Sequence, residues 1–325
     1  MCNNFTILES IIIKSSLSKK ALQTKLNKPL QQIAFLKKSN LFLLQSKAPI
    51  SEAIMLAKKT FITYAQPDIL QTRQKYQKRV DNIISSYHLK DIGETTKGLG
   101  IKIAIIDDGI NLSHADLKGI NIALEYDVEQ KKLNASPKVK RDTHGTQVAG
   151  IIFAQHNTIG IDGIAPLAEL ISIRQVNNQT SHTILAFTVA NLAKADIINC
   201  SWNSLVLLEP VYDVIVDISQ RGREGKGTAI VVSAGNSSKE ILAYSTESSI
   251  DEAIVVGATQ HYSNYGKYVD FILPSGIKTT KTEGYGIFGG TSATAPIISG
   301  ILALMMSKNP TLKTTTLVDK LKKVL

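Results

Sequence analysis

The sequence predicts an α/β fold, three-layered, with a mostly parallel central sheet and helices on both faces, preceded by a small α+β unit. Near-continuous apolar runs recur after residue 99, at IKIAIID (101–107), AELISI (168–173), ADIINC (195–200), TAIVVSA (228–234) and AIVVGA (253–258). Runs of this kind mark strands buried on both faces. Between them lie the helix-like stretches TQVAGIIFAQ, SHTILAFTVANLAK and PVYDVIVDISQ. Strands alternating with helices imply parallel pairing with crossovers on both sides, and sites in such sheets gather at the C-terminal strand ends.

Residues 1–67 read as a separate small unit. IIIK (11–14) and AFLKKSNLFLL (34–44) are expected as short strands, and SEAIMLAKKTF (51–61) as a short helix with Ser51 as its N-cap. From Asp68 the chain turns polar and basic (DILQTRQKYQKRVDN), which predicts an exposed linker over 68–85, open to processing, before a larger domain at 86–325.

The composition narrows the function classes. The 325 residues are 43% apolar, enough for a sizeable core. The longest apolar runs, Leu41 to Leu44 and Ile298 to Met306, fall short of the roughly 20 residues a membrane span needs. Two cysteines, Cys2 and Cys200, supply neither a disulfide framework nor a thiolate zinc site, and Cys200 reads as a buried core thiol. The net charge of +10 suggests nucleic acid at first, but its distribution argues against that. Residues 1–90 carry 15 Lys and Arg against 4 Asp and Glu, whereas the remainder nets −1. The excess therefore reads as a solvated face of the N-terminal unit.

Three motifs carry chemistry. The first apolar run ends in Asp107-Asp108-Gly109, a carboxylate at a strand tip. Alone, paired acids there also suit a phosphoacceptor domain, but the later strand-end Asp and Lys that such a domain needs do not follow. The second motif, Asp142-Thr143-His144-Gly145-Thr146, places an imidazole at the start of an apolar helix, where it suits a general base or a plain cap. In the third, Gly289-Gly290-Thr291-Ser292-Ala293-Thr294-Ala295-Pro296, Ser292 falls at a helix N-terminus that favours developing negative charge, or caps that helix. A fourth feature is Asn236, after the strand ending Ala234-Gly235, where its amide can donate to an oxyanion.

Asp, His and Ser in that chain order, spelled IIDDG, DTHGTQVAG, SAGN and GGTSATAP, resemble the subtilisin-like serine proteases over about residues 86–310. The resemblance implies a serine endopeptidase with Asp107 orienting the imidazole, His144 as base, Ser292 as nucleophile and Asn236 in the oxyanion hole. It implies a substrate strand at Ser201, Trp202 and Asn203 facing Ala234 and Gly235. The N-terminal unit is similar to the family's inhibitory prosegment, hence an intramolecular partner, with self-cleavage between about Asp68 and Val80. The alternative is a catalytically inactive subtilase fold kept for binding.

Some spellings are similar to the kexin and furin branch, namely Asp108, Ser201-Trp202, Gly222-Arg223 and Ala293. No acid follows the Ser-Trp pair before Glu209, so no preference for paired basic residues is predicted, and Asn203 narrows the pocket where most relatives carry Gly. No cofactor is required for the chemistry. The family's structural calcium site maps onto Asp116, the Asn157 side chain and the carbonyls of Gln155, Ile159 and Ile161, with Gln77 a looser match. Substrates are protein or peptide and the chain is expected to be a monomer. The start, MCNNFTILES, has no signal-peptide pattern although the family implies export, so secreted, periplasmic and cytoplasmic settings all stand.

Overall fold

The computed structural model describes residues 5–71 and 94–325. The N-terminal part runs β1 (Phe5–Ser15), α1 (Lys19–Leu26), β2 (Gln31–Phe35), β3 (Asn40–Gln45), α2 (Pro49–Ala57) and β4 (Tyr64–Gln71). β1 lies between β3 and β4, antiparallel to both. One face of this sheet, with Ile11, Ile13, Phe42 and Leu44, closes on Leu22 and Leu56 of the two helices. The other face, with Ile12, Ile33 and Leu41, belongs to a core shared with the main sheet.

Four local expectations change here. AFLKKSNLFLL is a hairpin rather than one strand, because KKSN turns and Leu36 N–H donates to Ser39 O. The α2 helix begins at Pro49, whose fixed φ suits a first helical position; Ser51 lies inside it and donates to Ala48 O instead of capping. The unpredicted α1 is capped by Ser18, which accepts from Ala21 N–H. Asp68 to Gln71, expected as linker, continue β4. Leu70 and Gln71 pair antiparallel with β8 (Asn178–Gln179) of the larger domain. The remainder of the expected linker, Gln77 and most of the expected processing region lie outside the described residues.

The larger domain runs β5 (Lys102–Asp107), β6 (Asn121–Asp127), α3 (His144–Phe153), β7 (Glu169–Arg174), β8, α4 (Thr180–Leu192), β9 (Ile197–Cys200), α5 (Glu209–Gly225) and β10 (Ala229–Ser233). It continues through β11 (Ile254–Ala258), β12 (Phe271–Leu273), β13 (Ile277–Thr280), β14 (Tyr285–Phe288), α6 (Thr291–Lys308) and α7 (Thr314–Leu321). Seven strands form a parallel sheet in the order β12-β11-β10-β9-β5-β7-β6. Strand β5 shows why its sequence is apolar throughout. Ile103 and Ile105 face the layer of α3 and α6, while Ala104 and Ile106 face the layer of α4 and α5. The chain crosses from one side of β5 to the other after β7, so the C-terminal ends of β5 and β9 border the crevice where open α/β sheets bind ligands. Among the described residues no helix is long and apolar enough to cross a membrane.

Candidate active site

Each expected catalytic residue stands at the tip of an element. Asp107 ends β5, His144 opens α3 and Ser292 is the second residue of α6. The Nδ1–H of His144 donates to both carboxylate oxygens of Asp107, at 2.9 and 2.8 Å, in a pair that is 1% exposed at the acid and 7% at the imidazole. Nε2, the atom that would take a proton, is buried and has no hydrogen-bond partner among the described residues. The edge of the ring contact is fixed by Phe288 of β14, 5.0 Å away between centroids and nearly perpendicular.

Ser292 is not bonded to His144. Its hydroxyl donates to the carbonyl of Ser201 at 2.8 Å. That bond brings the N-terminus of α6 to the residue following β9, the neighbour of β5, so nucleophile, acid and base share one edge of the sheet. Asn236 lies beside them, its Oδ1 accepting from Thr291 N–H at 2.8 Å, which leaves the amide nitrogen as the end that donates. Thr291 Oγ1 accepts in turn from Gly235 N–H. Gly235 has φ +97, and a Cβ there would meet the Asn264 side chain at 2.5 Å. Asn264 itself donates to Ala234 O and accepts from Ser237 N–H, holding this turn open.

The residues expected to meet substrate separate on inspection. Trp202 sends its indole into the core, where Nε1–H donates to Ile106 O at 2.6 Å, so it offers substrate its backbone rather than its ring. Asn203 reaches across to Ser233 O at 2.5 Å, bridging the ends of β9 and β10. Ser204 N–H donates to Glu247, a buried acid from a distant turn that the sequence did not flag. Phe288 and Asn264 were missed as well, while Thr291, quoted with the Ser292 motif at the start of α6, was given no role. Neither Phe288 nor Asn264 stands in a strand-tip or helix-start pattern of polar residues that would mark it.

Asp116 is fully buried. Its Oδ2 accepts from Ile161 N–H, while Oδ1 has no partner among the described residues. An orphaned carboxylate oxygen beside the turn 155–161 suits an oxygen-seeking cation. Asn157 Oδ1 already accepts from Ile159 N–H, the Gln155 amide donates to Phe153 O and Pro166 O, and the Gln155 backbone carbonyl accepts from Asn157 N–H. Among the described residues no cluster of three or more His, Cys, Asp or Glu forms a metal centre.

The N-terminal unit closes over the same edge. The Asp68 carboxylate, wholly buried, accepts from Ser10 Oγ, from Ser181 N–H and Oγ, and from the Gln179 amide, at the first turn of α4. Lys14 Nζ and Tyr64 Oη both reach Asp213 on α5. Gln71 brackets Val206, its amide donating to Val206 O and its Oε1 accepting from Val206 N–H, just beyond the Ser201–Ser204 segment.

A buried acid–imidazole pair, a serine in the first turn of a helix and an Asn shortly beyond β10 thus share one edge of the parallel sheet. Residues 98–325 match the family model described as the subtilase family, and the chain belongs to that family. It is similar to subtilisin-like protease 2 of Plasmodium falciparum, 31% identical over 230 residues, covering 64% of this chain and 17% of that protein. The calcium-dependent protease of Nostoc sp. is 28% identical over 292 residues, covering 74% of this chain and 43% of that protein. The chain thus spans less than half the length of these two relatives. Among solved structures, fervidolysin from Fervidobacterium pennivorans shares the fold with a TM-score of 0.73 at 19% identity, covering 99% of this chain and 57% of that one.

Proposed function

We propose that the chain is a serine endopeptidase acting through Asp107, His144 and Ser292, made as a precursor held inactive by its own N-terminal unit. The observation that carries this reading is the buried Asp107–His144 pair, whose Nε2 has no partner among the described residues, on the sheet edge where Ser292 stands in the first turn of its helix. In the reaction the Ser292 hydroxyl exchanges Ser201 O for Nε2, which takes the proton as Oγ bonds to the scissile carbonyl carbon. The carbonyl oxygen becomes an oxyanion, met by Asn236 Nδ2–H and the Ser292 backbone N–H. Nε2–H then protonates the leaving amine as the C–N bond breaks. Water repeats the route on the acyl-enzyme, releasing the acid and restoring Ser292. Asp107 stays ionised and holds the imidazole in one tautomer throughout.

An extended substrate would pair with the Ser201–Asn203 backbone, opposite Ala234 and Gly235, so selection would follow shape more than sequence, with a pocket narrowed by Asn203. The seating of Asp68 at α4 and of Gln71 on Val206 supports a self-inhibited precursor, since β4 ends shortly beyond the Ser201–Asn203 segment. A Ca²⁺ ion held by Asp116, Asn157 and the carbonyls of Gln155, Ile159 and Ile161 would contribute stability and no chemistry. Added calcium should then raise the melting temperature, and Asp116→Asn should abolish that rise.

The deciding experiment is intact mass after exposure to a fluorophosphonate, for the parent and Ser292→Ala in parallel. One adduct on the parent alone supports an assembled triad, and the same spectrum reports loss of the N-terminal unit. A parent already freed of that unit and still unlabelled would overturn the reading in favour of a binding protein.

A further inference from the structure

The second acid of the Asp107-Asp108 pair is 2% exposed and takes no part in the triad. Its carboxylate lies across the start of α3. Oδ2 accepts from His144 N–H at 3.2 Å and Oδ1 from Gly145 N–H at 2.7 Å. These are the first two N–H groups of the helix, which have no acceptor within it and carry the positive end of its dipole. Thr143 occupies the N-cap position but makes no side-chain cap, with φ −122 and ψ −15. The cap is therefore supplied from another element, 36 residues away in sequence.

That origin decides what the cap does. A side chain at position 143 would satisfy the end of the helix and tie it to nothing else. Asp108 ties it to β5, the strand that holds the imidazole through Asp107. The backbone N–H of Asp108 also donates to Asp107 Oδ1 at 2.8 Å, so two consecutive residues grip His144, one at its ring and one at its backbone. There is little slack in the grip. A Cβ on Gly145 would stand 3.3 Å from Asp108 Oδ1 and 2.5 Å from Gly109 O. A ring held only at Nδ1 can pivot about that bond and swing Nε2 away from Ser292; a ring whose backbone is also held cannot.

We infer that Asp108 is a positioning residue, which fixes Nε2 of His144 relative to Ser292 by capping α3 from the tip of β5. The inference rests on His144 being the base, as proposed above. Its contribution belongs to the chemical step and not to substrate binding.

The test compares the parent, Asp108→Ala and Asp108→Asn on one amide substrate, with kcat expressed per active site titrated by fluorophosphonate. Asp108→Ala is expected to lose about a hundredfold in kcat, the scale of a misplacement of about 1 Å at a reacting group, with KM within about twofold. Asp108→Asn keeps one acceptor oxygen and should recover part of that loss. Leu317→Ala, in the distant α7, serves as the control for simple destabilisation: its melting temperature falls while kcat per titrated site holds. A kcat per site within twofold of the parent in Asp108→Ala, or in Asp108→Asn should the alanine variant not fold, overturns the inference. So does a raised KM at unchanged kcat, which would place Asp108 against substrate. A parent freed of its N-terminal unit that still takes no label at Ser292 fails the proposed function instead, and that failure is visible before any variant is made.

Discussion

At the scale of single residues, a hydrogen bond at one end of a side chain orients the other end. Asn236 spends its oxygen on Thr291 N–H, which aims its nitrogen by elimination. Asn236→Ala should therefore lower kcat by roughly a hundred- to thousandfold with little change in KM, the size established for such a donor in subtilisin; steady-state kinetics on an amide substrate checks it. His182, on the first turn of α4, behaves differently. Burial holds its imidazole below the ordinary value of 6.5, although Glu129, Asp68 and Asp127 pull the other way, and its Nδ1 has no partner among the described residues. The unfolded chain therefore takes up a proton first as pH falls through about 6.5, and folded stability, full above that pH, declines below it. Melting temperatures from pH 7.5 to 5 should drop for the parent and drop less for His182→Gln.

At the scale of elements, helix starts are tied to distant strands. The α3 helix is fastened at both sides of its first turns: Asp108 caps it, Thr146 Oγ1 accepts from Asn111 N–H, and Thr279 and Thr280 of β13 donate to the carbonyls of Gln147 and Thr146. Such close approach requires a residue without a side chain at position 145. Gly145→Ala would press its Cβ to 2.5 Å from Gly109 O, and should cost about 1–3 kcal/mol in a denaturant titration while displacing His144 and lowering kcat. The apolar periodicity of these elements was readable in advance. The five runs named from the sequence correspond to β5, β7, β9, β10 and β11. The elements it misjudged, the β2–β3 hairpin and the start of α2, are short, and single residues such as Ser39 and Pro49 decide them.

At the scale of the whole molecule, a basic N-terminal unit lies on α4 and the acid-bearing helix α5 of a nearly neutral domain. Lys14 meets Asp213 with both side chains largely buried, and the Lys37 backbone meets Asp217. The contact that matters most is Asp68, a buried anion with four donors from both parts. Asp68→Ala leaves those donors without their acceptor and should lower the stability of the full-length Ser292→Ala chain by about 1–3 kcal/mol, measured by chemical unfolding. A tryptic digest of the same pair should cut faster after the substitution, because β4 then holds less firmly to β8.

The sequence by itself determined the alternation of buried strands and helices, the four polar motifs at their tips, and through them the family. Those signals are local: a strand declares itself by its apolar run, and an Asp, His or Ser by its place at the end of one. Tertiary structure alone decided the pairings. It set Ser292 on Ser201 O, brought Phe288 to the His144 ring, placed Asp108 over α3, and drew Asp68 out of an expected linker into a buried strand. Each joins residues tens to over a hundred positions apart, where no periodicity of 2 or 3.6 residues reaches, so the choice among possible donors and acceptors was made by the sheet order that brought their backbones together.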